Sequence, residues 1–86
     1  MKYSKNVWNQ LKNITAAQLI TALEKDGFIL DVEVRAERVY RHPSGRKVTI
    51  HYHKGSKTYE AGLLKSLFEN IGWAEKDMLR LKLIKK

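Results

Sequence analysis

The apolar residues of this chain change their spacing once, and that change limits the folds open to it. Ala16, Leu19, Ile20 and Leu23 recur at i, i+3, i+4 and i+7, one stripe of a helix. Phe28, Leu30, Val32 and Val34 then alternate with Ile29, Asp31, Glu33 and Arg35, the period of a strand lying with one face on a core. Thr15-Ala16-Ala17-Gln18 has the form of a capping box and Gly27 suits a left-handed helix end, so the spacing predicts a helix over 15–26.

The alternation continues. Val39 and Tyr40 belong to a second short strand, closed by the turn His42-Pro43-Ser44-Gly45. In a third, Val48, Ile50 and Tyr52 face one way, and Lys47, Thr49, His51 and His53 face the other. After the polar loop 54–58, Leu64, Leu67, Phe68 and Ile71 form a second helical stripe ending at Gly72. The expected fold is α+β, with order α-β-β-β-α. Helices cover one face of a three-stranded antiparallel sheet, and the other face is polar and open. Short extensions flank this unit. Val7, Trp8, Leu11 and Ile14 look amphipathic, residues 73–79 suit a third short helix, and Leu81, Leu83 and Ile84 can dock ahead of exposed Lys85 and Lys86.

A length of 86 residues supports one core, so residues 1–86 read as a single domain. No window reaches the roughly 18 apolar residues of a membrane span, and the first residues lack a secretory signal core. The absence of cysteine rules out disulfides and permits a reducing compartment. A cytoplasmic protein with no membrane role is expected.

A formal charge of +8 attracts polyanions, nucleic acid foremost. Arg35, Arg38, Arg41, Arg46, Lys47, Lys54 and Lys57 lie within the second and third strands and their loops, where Glu37 is the only acid. With Lys65 they are the candidate RNA-binding residues. A stiff sheet with a loop and a helix end can meet the phosphates and 2′-hydroxyls of RNA by shape. No helix presents the exposed Arg and Asn of a DNA-recognition helix. Tyr40, Tyr52 and Tyr59 read as packing residues, and Trp8 and Trp73 as core or cover.

His51 and His53 are the candidate catalytic pair. Residues i and i+2 on a strand share a face about 7 Å apart. Cleavage of RNA needs a base for the ribose 2′-OH proton, an acid for the leaving 5′-oxygen and a cation for the phosphate. His53, His51 and either Lys54 or Arg41 supply those types. The competing reading is a solvated strand face that binds phosphate without chemistry. A closed zinc site takes four ligands; with no cysteine, Glu37 or His42 would have to join the pair, so no metal and no cofactor are assigned.

The succession "LITALEKDGFIL", "VYRHPSGRKVTIHYHKG" and "AGLLKSLFENIGW" resembles the HicA toxins of bacterial toxin–antitoxin systems, from about Leu19 to Trp73. The resemblance implies a double-stranded-RNA-binding-like fold, binding and cleavage of messenger RNA, and a HicB-like antitoxin as partner. It also implies a catalytic histidine within a Gly-Ser-His segment opening the second strand. Arg35, Ala36 and Glu37 stand there, so Glu37 takes the histidine's place. The family commonly has proline near the positions of His51 and Ala61. Imidazoles titrate close to neutrality and carboxylates well below it, which makes Glu37 a weak base beside a histidine. Two functions follow: an mRNA-cleaving toxin using His53, His51 and Glu37, or a catalytically silent RNA-binding module on the same fold.

Overall fold

Ser4 starts the first helix, α1 (Lys5–Leu11), by accepting the Val7 amide on its hydroxyl at 3.2 Å. The computed structural model describes residues 3–85, so Lys86 lies outside it. After α1 come α2 (Ala16–Asp26), β1 (Ile29–Val34), β2 (Glu37–Arg41), β3 (Lys47–His51), α3 (Ala61–Ile71) and α4 (Glu75–Arg80). Both halves of the expected capping box are present. The Gln18 amide N–H donates to Thr15 Oγ1 at 3.2 Å, and the Thr15 N–H donates to Gln18 Oε1 at 2.9 Å. Gly27, at φ 104°, ends α2 in the left-handed conformation that glycine adopts without steric cost.

The strands form one antiparallel sheet in the order β1-β2-β3. Tyr40 pairs with Val48, and Arg38 with Ile50. Tyr40, Val48 and Ile50 are buried under the helices with Leu19, Leu23, Leu64, Leu67, Phe68 and Ile71. Lys47 and His51 lie on the other, open face and are exposed, as the alternation in β3 requires. This is the expected α+β layout, consistent with a double-stranded-RNA-binding-like fold.

The extensions are not loose. Val7, Leu11 and Ile14 on one side and Trp73, Met78, Leu81 and Ile84 on the other all join the same core. The Tyr3 hydroxyl donates to the Trp73 carbonyl at 2.7 Å, and Gln10 and the Lys85 backbone exchange two hydrogen bonds of 3.1 and 2.7 Å.

The strand β1 departs from expectation. Phe28 is buried, but Leu30, Val32 and Val34 are exposed. Leu30 pairs with Tyr40 on the helix side, and the register then slips, so that Val32 pairs with Val39 and Val34 with Glu37. Asp31 is the extra residue of a bulge. One inserted residue reverses the faces that follow it, which carries Val32 and Val34 to the open side. The Asp31 carboxylate accepts from Arg41 Nε at 2.6 Å, anchoring the bulge.

The end of α2 is fixed by one carboxylate. Asp26, with its side chain 7% exposed, accepts from Trp73 Nε1 at 2.9 Å and from Arg80 Nη2 at 2.7 Å, and lies 3.5 Å from Arg46 Nη2. Burial alone would raise its pKa. The hydrogen bonds from Trp73 and Arg80 and the charges of Arg80 and Arg46 outweigh burial and hold it below the ordinary carboxylate value. Its stabilisation is complete above the pKa of the unfolded aspartate and is lost as pH falls through the lower native value. Asp26→Ala should therefore cost about 2–4 kcal/mol at neutral pH, because it also leaves the buried Trp73 indole N–H without its acceptor. In urea unfolding series, the gap between parent and variant should close below about pH 4; a gap that is constant with pH would contradict this assignment.

Candidate nucleic-acid interface

One end of the sheet collects most of the candidate chemistry. Glu37 opens β2, its cross-strand partner His51 closes β3, and Val34 closes β1 on the other side, so the three form one row on the open face. His51 Nε2 lies 3.9 Å from Glu37 Oε1, with the side chains 54% and 61% exposed. At that distance the two form an ion pair when the imidazole is protonated. The tight turn Arg35-Ala36 sits directly above the row. Arg35 has φ 57°, a left-handed conformation that favours glycine, at the position where the resemblance places a glycine.

The two histidines do not share a strand face. β3 stops at His51 and the chain bends at His53. Tyr52 is the cause. Its N–H donates to the Ala36 carbonyl at 2.7 Å, and its ring is half-buried beneath the Arg38 guanidinium, 4.2 Å from the ring centre. Tyr59 holds the strand end from the other side, its hydroxyl donating to the His51 carbonyl at 3.0 Å. Among the described residues, the exposed His53 side chain makes no hydrogen bond or ion pair. Lys54 follows it, so Arg35, Glu37, His51, His53 and Lys54 gather around this end of the sheet.

The loop 54–58 is held against the start of α2. The Ala16 N–H donates to the Lys57 carbonyl at 2.8 Å and the Ala17 N–H to the Gly55 carbonyl at 3.0 Å. These bonds satisfy first-turn donors of α2 with backbone. A Cβ on Gly55 would lie 3.1 Å from the Ala17 methyl and 3.2 Å from the Tyr52 hydroxyl, so a side chain there would press its neighbours back by a few tenths of an ångström.

The other candidate cations lie elsewhere. Arg41 and Lys47 pair across the ladder at the opposite end of the sheet, about 13 Å from Glu37 at four residues of strand rise. Arg41 is bound to Asp31, so Lys54 and Arg35, rather than Arg41, accompany the histidines. Arg46 is engaged internally: Nη1 donates to the Ile71 carbonyl at 2.9 Å and Nη2 faces Asp26. Lys65 leaves α3 to sit over the Trp8 ring at 5.3 Å. Arg38 faces Glu33 at 3.3 Å while stacking on Tyr52. His42 is a structural residue. The Ser44 N–H donates to its Nδ1 at 3.0 Å, which leaves Nε2 as the protonated nitrogen, donating to the Asp26 carbonyl at 2.9 Å.

Among the described residues, no three His, Asp or Glu side chains come together as a metal site. No helix is long and apolar enough to cross a membrane. What the sheet end can do is hold a phosphate between exposed cations while an imidazole and a carboxylate stand on one row beside it. Tyr52 and Tyr59, which fix the strand end, carry no periodic signal that sets them apart from ordinary packing tyrosines.

A search of curated proteins finds no match. The profile of the HicA toxins of bacterial toxin–antitoxin systems matches residues 16–73, from the first turn of α2 to the buried Trp73, and takes in the whole sheet. This chain belongs to the HicA toxin family.

Proposed function

We propose that this HicA-family chain binds messenger RNA in the cytoplasm through the basic end of its sheet and cleaves it by acid–base catalysis at the ribose 2′-oxygen. The observation that carries the reading is the Glu37–His51 pair at 3.9 Å. Glu37 stands where the family pattern has its histidine, and the directly opposed strand supplies an imidazole to the same row. Directly opposed residues have Cβ atoms about 5 Å apart, so the ring is displaced across the ladder rather than removed from the site.

In the proposed step His51, oriented by Glu37, takes the 2′-OH proton. The 2′-oxygen then bonds to phosphorus, the P–O5′ bond breaks, and His53 gives a proton to the departing 5′-oxygen. The products are a 2′,3′-cyclic phosphate and a 5′-hydroxyl end. Arg35 and Lys54 stabilise the charge that builds on the phosphate oxygens, and Lys47 and Lys57 extend the basic surface along the RNA, while Arg38, Arg41 and Lys65 are held by Glu33, Asp31 and Trp8. His51→Ala and His53→Ala should each lower cleavage of a long RNA by about 100-fold or more while leaving RNA affinity within about threefold. RNA bound but uncut by the wild type would leave an RNA-binding module in place of an enzyme.

The role of Arg35 separates function from stability. Its left-handed backbone suits glycine better than arginine, so Arg35→Gly should leave stability within about 1 kcal/mol of the parent. The same variant should weaken RNA binding and reduce the magnitude of the salt slope by about 0.7 for a single-stranded target. An unchanged slope would remove Arg35 from the interface.

The partner that fits a toxin of this family is an antitoxin. We assign it as a HicB-like, acidic protein that competes with RNA for the cations at the sheet end. Its complex should weaken severalfold between low and high salt, read by titration calorimetry. Affinity independent of salt would point to an apolar interface instead.

A further inference from the structure

We infer that the groove between α2 and the C-terminal segment is a second RNA subsite, which receives the strand that continues from the sheet end; this inference rests on the RNA-binding reading above. The groove encloses about 490 Å³. Its charged lining residues are Lys25 and Lys82, with no acid among them. Asn13, Gln18 and Thr21 add amide and hydroxyl groups able to pair with bases or ribose, and Ile14, Ala17 and Leu81 form apolar wall. An anion with flat, hydrogen-bonding faces suits such a lining, and a nucleotide strand is one.

The groove is continuous with the proposed site. The loop that follows His53 and carries Lys54 and Lys57 touches the first turn of α2 through the Ala17–Gly55 and Ala16–Lys57 hydrogen bonds. From there Ala17, Thr21 and Lys25 recur at i, i+4 and i+8, one line along the helix surface. Eight residues of helix rise cover about 12 Å, the span of roughly two nucleotides. The facing wall, Leu81-Lys82-Leu83, is pinned by the paired hydrogen bonds between Gln10 and Lys85.

Two features set this groove apart from the family core. Part of its lining, from Gln10, Asn13, Ile14 and residues 81–83, lies outside the matched residues 16–73, so the chain's own extensions build it. Lys82 also has φ 61°. It occupies the position after α4 that glycine usually takes, with the Leu83 N–H donating to the Met78 carbonyl at 2.9 Å. Structure alone would favour glycine at that position; a lysine there faces the groove with charge.

The test uses the full chain and a fluorescent 12-nucleotide 2′-O-methyl RNA, which cannot be cleaved through its 2′-oxygen. Lys25→Gln and Lys82→Gly should each weaken binding about three- to fivefold, and the pair by roughly tenfold or more. Lys76→Gln removes the same charge from α4 away from the groove and should change affinity less than twofold. Because glycine suits the backbone at position 82, the thermal midpoint of Lys82→Gly should be unchanged or higher, so weaker binding would not reflect unfolding. Groove variants that bind like the wild type overturn the subsite alone, whereas a wild type that binds no RNA overturns it together with the RNA-binding reading. A loss matched by Lys76→Gln, or an equal loss for poly-glutamate of similar length, would reduce the groove to a general attraction for anions or acidic peptides and also overturn the proposal.

Discussion

The carboxylate of Asp26 is the constraint on which the arrangement of this protein depends. A negative charge at the C-terminal end of α2 opposes the helix dipole, and its burial adds a desolvation cost. It persists because donors from separate parts of the chain meet it: the Trp73 indole, the Arg80 guanidinium of α4, and Arg46 from the start of the third strand. Its own backbone carbonyl accepts from His42 in the β2–β3 turn. One residue therefore joins the family core to the C-terminal extension and fastens the far end of the sheet to the helical layer. Arg46 and His42 are consumed by that task, which leaves the near end, with Glu37 and His51, as the part of the sheet whose polar groups are free for a ligand.

The bulge at Asp31 shapes the same open face. Without it, Val32 and Val34 would face the helices with Leu30; with it, they join Val39 and Thr49 on the solvent side. The row Val34–Glu37–His51 thus has an apolar residue at one edge, a carboxylate on the central strand and an imidazole at the other edge. An apolar edge beside an acid–base pair lowers local solvation on one flank of the row, and electrostatic interactions strengthen where water is displaced.

Much of the fold was legible because its signals are local. The capping box at Thr15 and Gln18, the left-handed glycines at positions 27 and 72, and the alternation of Val48 and Ile50 each depend on a few neighbouring residues, and each appears as read. The bulge was not legible. Leu30, Val32 and Val34 keep perfect alternation in the sequence, and the inserted residue is defined only by its pairing with β2. The end of the third strand at His51 was not legible for a related reason, since the neighbouring Tyr52 is held by Arg38 and Ala36, both distant in sequence. The Asp26 hub has no periodic signature either: a single acid before a helix-ending glycine looks like ordinary surface until Trp73 and Arg80 are brought to it. The candidate cations were legible as residue types and illegible as a set, because ion pairs with Asp26, Asp31 and Glu33 decide which of them remain available.

The exposure of the Glu37–His51 row bears directly on the proposed chemistry. At more than half exposure, each group is solvated, and a carboxylate 3.9 Å from an imidazole in water orients it only weakly. The same pair covered by RNA would lose that solvent, and its coupling would grow as the effective dielectric constant fell. On this argument the proposed catalytic arrangement would be completed by the RNA itself. Contacts remote from the reacting phosphate then matter for rate as well as affinity, since they hold the RNA over the row long enough to exclude water. The loop at Gly55, which packs against α2 and connects the sheet end to the groove beside Lys25 and Lys82, is the part of the structure placed to transmit that hold.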